Sequence, residues 1–233
     1  MRKDNQDYFQ IEQLHGNKLI LSVVCDGMGG ASAGNVASRL AAETFIQTLS
    51  DQPSALLDDE LVGDALTDAM MAANRVVYEG AKAHRDYKGM GTTLVGAVTR
   101  EEKSHIINVG DSRAYHISGD IIVQVTRDHS LVEDMVARGD ITREEALTHP
   151  NRNLITRALG TDEKVGRDLF TVELKPGDRL LLCSDGLTNL VSDEEILQEI
   201  SRYDDPDKCC EMLIHLGLAR GGSDNITALI VDI

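Results

Sequence analysis

The order in which hydrophobic periodicity changes along the chain is the strongest constraint on its fold. Tyr8 to Leu14 and Lys18 to Cys25 flank His15-Gly16-Asn17 and read as two strands of a hairpin. From Gly34 to Leu49 the period becomes helical: Ala37, Ala41, Phe45 and Leu49 recur every fourth residue, with Val36 and Leu40 beside them. Glu60 to about Ala83 repeats that stripe through Val62, Leu66, Ala69, Ala73, Val76 and Val77. Two amphipathic helices in succession need a surface to cover. The next stretch supplies one: Thr92 to Thr99, Ser104 to Val109, Arg113 to Ile117 and Ile121 to Val125 read as strands. Turn signals at Arg100-Glu101-Glu102, Gly110-Asp111 and Ser118-Gly119-Asp120 predict a β-meander, hence antiparallel pairing.

From His129 to Lys164 the chain turns polar, with two short helical patterns, Leu131 to Arg138 and Arg143 to Thr148, and reads as a mobile insertion. Strands resume at Leu169 to Leu174 and Arg179 to Ser184. Helices follow at Asp193 to Ile200 and Asp205 to Leu218, and a strand at Asn225 to Asp232 closes the chain. Runs of strands alternate with runs of helices, which favours antiparallel sheets packed together and covered by helix pairs over a doubly wound parallel sheet. The expected class is α+β, with one domain over residues 1–233, because no repeat, low-complexity tract or proline-rich linker divides the chain.

Charge narrows the function. Lys plus Arg number 23 against 39 Asp plus Glu, a net charge of −16, and such a surface repels nucleic acid and anionic lipid. The longest nearly unbroken apolar run, Leu19 to Cys25, falls far short of the about 20 residues a bilayer span needs. No basic segment with a cleavage site precedes it, so a cytoplasmic, monomeric protein is expected. Cys25, Cys183, Cys209 and Cys210 form no metal-binding spacing and read as buried thiols.

Asp26 ends the apolar run LILSVVC and is followed by Gly-Met-Gly-Gly; Asp185 ends RLLLCS and is followed by Gly-Leu. Asp224 stands before the closing strand, and Asp111 lies at a turn between two others. In antiparallel sheets the start of one strand lies at the same end as the finish of its neighbour, so all four can meet at one rim. Gathered carboxylates repel and raise one another's pKa unless cations sit between them. Oxygen donors alone favour Mn²⁺ or Mg²⁺ over Zn²⁺. Taken singly, each Asp-Gly reads as well as an ordinary turn, and Asp224-Asn225 as an Asx turn.

Seven motifs then stand in order: Arg2-xx-Asn5-Gln6-Asp7, Val24-Cys25-Asp26-Gly27-Met28-Gly29-Gly30, Gly89-Met90-Gly91-Thr92-Thr93-Leu94, Val109-Gly110-Asp111-Ser112-Arg113, Asp128-His129-Ser130, Leu182-Cys183-Ser184-Asp185-Gly186-Leu187 and Ser223-Asp224-Asn225-Ile226-Thr227. Together they resemble the protein phosphatase 2C family, also called PPM, in its bacterial form. The resemblance implies a central β-sandwich flanked by helices in four layers, with a flap subdomain at about 129–164. It implies a metal-dependent serine/threonine phosphatase acting on phosphorylated proteins against a cognate kinase. Asp26 would bridge two Mn²⁺ or Mg²⁺ ions, the Gly27 carbonyl would join one, and Asp185 and Asp224 would complete the pair. Asp111 with Asp185 would hold a third, and Arg2 would bind the substrate phosphate. Direct attack by a metal-activated water is expected, without a phosphoenzyme.

The chain departs from the family pattern at three places. Met28 stands where many eukaryotic relatives have His, leaving the leaving-group acid unassigned. Gln6 replaces a frequent acidic residue, and Ala31 lies where many bacterial members carry His. Family chains also usually begin about a strand earlier, so a short sheet is expected. Two other readings compete: a phosphatase-like scaffold that has lost catalysis, and a phosphatase dedicated to one regulatory partner.

Overall fold

The computed structural model describes residues 4–15, 18–30 and 33–233. Arg2 and Ala31, singled out above, lie outside them. Strands β1 (Asp7–Leu14) and β2 (Leu19–Met28) form the expected hairpin, in the register Asp7↔Asp26 through Leu14↔Leu19. Helices α1 (Ala33–Ser50) and α2 (Val62–Ala83) follow. Next come strands β3 (Gly91–Thr92), β4 (Leu94–Arg100), β5 (Lys103–Val109), β6 (Arg113–Ser118) and β7 (Ile121–Gln124). Helices α3 (Leu131–Arg138) and α4 (Arg143–Leu147) occupy the polar insertion. The chain then runs through β8 (Asp168–Glu173), β9 (Arg179–Cys183), α5 (Asp185–Thr188), α6 (Asp193–Arg202), α7 (Pro206–Ala219) and β10 (Ala228–Asp232).

Among the described residues the strands form two antiparallel sheets, ordered β1-β2-β4-β5-β8, with β3 on the end of β2, and β10-β9-β6-β7. The predicted meander is therefore wrong at its centre. β4 pairs with β5 and β6 with β7, but the far side of β5 is taken by β8, from Lys103↔Glu173 to Asn108↔Asp168. β6 finds β9 instead. Gly110-Asp111 is thus a crossing from one sheet to the other and not a hairpin turn.

Three apolar layers fill the stack. Leu21, Val23, Phe45, Leu49, Leu66 and Met70 lie between the first sheet and α1–α2. Val24, Val95, Ile106, Leu180, Leu182 and Leu229 lie between the sheets. Tyr115, Leu181, Ile196, Ile200 and Leu213 lie between the second sheet and α6–α7. The four layers are those expected. Serine and threonine hydroxyls fix several helix starts: Ser192 and Thr142 each form a capping box with the glutamate three residues on, Glu195 and Glu145.

Within the described residues the second sheet stops at β10, short of β1. Phe9, opposite Val24 and so on the same face, stays 55% exposed, and Ile11 44%. No helix among the described residues is long and apolar enough to cross a membrane.

Candidate metal centre

One end of the sandwich gathers the acidic residues. Asp26 does not terminate its strand as expected; β2 runs on to Met28 and pairs Gly27↔Thr92 and Met28↔Gly91. Thr93 interrupts the predicted strand Thr92–Thr99 because it serves Asp26. Its Oγ1 accepts from the Asp26 N–H at 2.9 Å, its N–H donates to the Asp26 carbonyl at 2.9 Å, and the Thr92 hydroxyl donates to that carbonyl at 2.9 Å. Thr93 Oγ1 is also 2.7 Å from Ser112 Oγ, next to Asp111. The Gly-Thr-Thr and Asp-Ser motifs thus hold the backbone around two candidate ligands.

In the second sheet, Asp185 begins the one-turn helix α5, which the sequence did not predict, directly after β9. Asn189 Nδ2 donates to Asp185 Oδ2 at 2.9 Å. The closing strand begins at Ala228, not Asn225, so Asp224 lies in the loop before it, its Oδ1 accepting from the Asn225 N–H at 2.7 Å. The Asp185 and Asp224 loops touch through glycine. A Cβ on Gly186 would stand 1.9 Å from the Asn225 carbonyl oxygen and 3.4 Å from Asp224 Cβ. Gly27 is enclosed in the same way, by the Gly34 and Gln6 carbonyls at 2.1 and 2.6 Å. No side chain larger than hydrogen fits at either place.

Asp7 joins the two halves, a role that its place in the Arg2-xx-Asn5-Gln6-Asp7 motif does not reveal. It is 7% exposed. Its Oδ2 accepts from Ser184 Oγ and Thr227 Oγ1, both at 2.7 Å, and so clasps the second sheet from the first. Its Oδ1 is buried with no hydrogen-bond partner among the described residues. Asn225 reinforces this junction, accepting from the Gln6 N–H at 3.0 Å and donating to the Asp4 carbonyl at 3.2 Å.

Packing these groups together has an electrostatic cost. Asp26 is raised well above the carboxylate range, first by burial and then by Asp7, Asp185 and Asp111. Asp111 is pushed up to about 8 by burial, then by Asp185 and Asp128. Asp7 is raised by burial against its two hydroxyl donors, with further repulsion from Asp185 and Asp224. Asp7 and Asp26 are direct cross-strand partners, where like charges destabilise a sheet. The cation most strongly felt at Asp111 is Arg113, whose Nε and Nη2 are already committed to Asp128 at 2.7 to 3.1 Å.

Among the described residues no three Asp, Glu, His or Cys side chains converge tightly enough to hold an ion by themselves. The clustering is carried by pairs: Asp26 with Asp7, Asp185 and Asp111, Asp111 with Asp185, and Asp7 with Asp185 and Asp224. Partly buried carboxylates under mutual repulsion, with the orphaned oxygen of buried Asp7 among them, fit divalent cations and all-oxygen ligation. A redox role for the neighbouring thiols does not fit. Cys25 and Cys183 are fully buried; burial lifts the Cys183 thiol to about 12 and the Cys25 thiol higher still.

The polar insertion closes over this rim. A cavity of about 370 Å³ lies between it and the carboxylates, lined by Asp111, Asp185, Glu133, Arg143, Leu147 and Arg152 among others.

A two-sheet sandwich with helix pairs outside and mutually repelling aspartates at one rim fits a cation-binding enzyme class. The model of the family described as protein phosphatase 2C matches residues 2–209. The serine/threonine phosphatase stp of Listeria innocua is 38% identical, over 99% of this chain and 89% of its own length. The crystal structure of serine/threonine phosphatase Stp1 from Staphylococcus aureus superposes with a TM-score of 0.92 at 39% identity, covering all of this chain and 90% of that one. The catalytic domain of the serine/threonine protein phosphatase PstP, solved in complex with two manganese ions, gives a TM-score of 0.84 at 34% identity, covering all of this chain and 93% of that one. The chain belongs to the protein phosphatase 2C family.

Proposed function

We propose that this protein hydrolyses phosphoserine and phosphothreonine esters in proteins, and that its rim aspartates hold the divalent ions the reaction needs. Asp26, the Gly27 carbonyl, Asp185 and Asp224 hold two Mn²⁺ or Mg²⁺ ions, and Asp111 with Asp185 a third. The observation that carries this reading is the gathering of partly buried, mutually repelling carboxylates around buried Asp7 at one rim, a costly arrangement in any protein that does not bind cations there. When bound, such ions supply a water of lowered pKa and neutralise charge on the phosphoryl oxygens.

The chain's own residues do the rest. Thr92 and Thr93 fix the Asp26 backbone, so its carboxylate is presented in one orientation. Ser184 and Thr227 hold one oxygen of Asp7, directing the other into the cluster. Arg2 supplies a planar fork of donors for the substrate phosphate. Asp4 and Gln6 are bonded to Asn225, which brings the N-terminal segment to the rim where that phosphate would lie. Phosphorylated proteins as substrates imply a protein kinase that supplies them. A location in the cytoplasm, where ATP-dependent kinases act, belongs to the same reading.

The test is hydrolysis of a phosphothreonine peptide with Mn²⁺ and with chelator. Turnover with Mn²⁺ that stops in chelator is expected, as is its loss in Asp26→Asn and Asp185→Asn with the fold retained. Equal turnover in chelator would refute the proposal, and trapping of a covalent phosphoenzyme would refute direct attack by water.

A further inference from the structure

His129 lies outside the carboxylate cluster, yet four segments meet on it. It is 5% exposed. Its backbone N–H donates to the Gly110 carbonyl at 2.9 Å, and its ring Nδ1 accepts from the Gly110 N–H at 3.1 Å, a reciprocal pair that holds the peptide units on both sides of Gly110. Its own carbonyl accepts from the Thr156 N–H at 2.7 Å, where the polar insertion returns to the sandwich. Its Nε2 lies 3.3 Å from Asp168 Oδ2 at the start of β8.

The hydrogen bonds settle the tautomer. Because Nδ1 accepts, the neutral ring carries its proton on Nε2 and donates it to Asp168. Arg157 Nη1 donates to the other oxygen of that carboxylate at 3.1 Å, which accounts for its 3.0 Å approach to Nε2, another donor.

Gly110 has little freedom elsewhere. Its φ is 111°, and a Cβ there would stand 2.6 Å from Thr93 Cγ2. Thr93 closes one side of this residue and His129 the other, and the next residue is Asp111. The insertion, meanwhile, leaves the sandwich immediately after His129 through the Ser130↔Ile155 bridge.

We propose that His129 is a positioning residue that couples the placement of the flap to the placement of Asp111. Movement of the insertion at Thr156 or of Arg157 reaches the metal-site crossing through one imidazole, and the ring's hydrogen-bond polarity sets the Gly110 peptide. This inference rests on the proposed function only in taking Asp111 as a metal ligand.

Two near-isosteres separate the halves of the ring. In His129→Asn the side-chain oxygen replaces Nδ1 and the Asp168 contact is lost. In His129→Gln the terminal amide replaces Nε2–H and the Gly110 acceptor is lost. The first readout is hydrogen exchange of the Gly110 amide in metal-free protein. Loss of one hydrogen bond is expected to speed it roughly fivefold in His129→Gln and to leave it unchanged in His129→Asn. The second is the Mn²⁺ concentration giving half-maximal hydrolysis of a phosphothreonine peptide, expected to rise roughly fivefold in His129→Gln alone, with the peptide KM at saturating Mn²⁺ unchanged. Asp168→Ala, which removes the group that selects the tautomer, should shift both readouts the same way in wild type and not in the His129→Asn background. This pair keeps the test open should His129→Gln unfold.

Equal shifts in the Asn and Gln variants, no shift in either, or an Asp168→Ala effect that persists in His129→Asn would overturn the coupling. Absence of metal-dependent turnover in the wild type would instead sink the phosphatase assignment, while the exchange data would still report on the latch.

Discussion

Asp111→Asn should stabilise the metal-free protein, and the size of the gain can be worked from its environment. A carboxyl held at about 8 in the folded chain against 3.8 for an ordinary aspartate favours folding only while protonated. Its contribution is complete below the unfolded value and is lost as pH rises from about 4 to about 8. At pH 7 the gap is about 3 pH units, a ceiling of about 4 kcal/mol at 1.36 kcal/mol per unit. The side chain keeps partial contact with solvent, so half of that, about 2 kcal/mol, is the working figure. For a chain of this size it corresponds to about 4–8 °C in Tm.

Asparagine keeps the shape and removes the charge, so thermal melts in chelator should show the variant ahead at pH 7 and level with wild type near pH 4. Saturating Mn²⁺ should reverse the order, because binding to the native state adds stability that the variant lacks at this position. The reasoning fails if the chelated variant is no more stable than wild type at pH 7, or if its advantage does not shrink on acidification.

Breaking the Arg113–Asp128 ion pair has the opposite sign. Asp128→Ala leaves Arg113 without its carboxylate and should cost about 2 kcal/mol, read as a lower Tm with and without Mn²⁺. Thr227→Val removes one of the two hydroxyl donors to Asp7 and should cost about 1 kcal/mol, with the loss largest in chelator. A thiol reagent should modify half-buried Cys210 first and leave Cys25 and Cys183 unmodified in the folded state; prompt labelling of Cys25 would contradict its burial.

The four layers were legible because the amphipathic stripes of α1, α2 and α7 and the apolar runs of β2 and β9 are local signals. Strand partnership was not, since it depends on which edge of β5 is occupied: β8, some 60 positions on, takes the edge the turn signal at Gly110-Asp111 had suggested for β6. Asp7 escaped for a subtler reason. With a loop of His15-Gly16-Asn17 the hairpin register would set Leu14 opposite Lys18 and Asp7 opposite Cys25. The register found, Leu14↔Leu19, moves every pair by one and brings Asp7 opposite Asp26. Arg2 was legible only through its motif.

The placement of the carboxylates has a mechanical consequence. Asp7 and Asp26 belong to the first sheet, while Asp185 and Asp224 flank paired strands of the second, where Cys183 stands opposite Ala228. The sheets are glued along their length by apolar contacts such as Val24, Val95, Leu182 and Leu229, but at this rim the bridges are polar: Ser184 and Thr227 to Asp7, and Asn225 to Gln6. Repulsion among these closely placed carboxylates works against those few bonds, and ions shared between the sheets would convert it into attraction. Metal removal should therefore loosen one end of the sandwich and leave the rest intact. Amides of Ser184 and Thr227 should exchange faster in chelator by at least tenfold for about 1.4 kcal/mol of lost restraint, while those of Leu181 and Val98 hold their protection. Uniform acceleration across both sheets would mean that the ions support the whole fold, and no change at the rim would mean that the carboxylates do not share them.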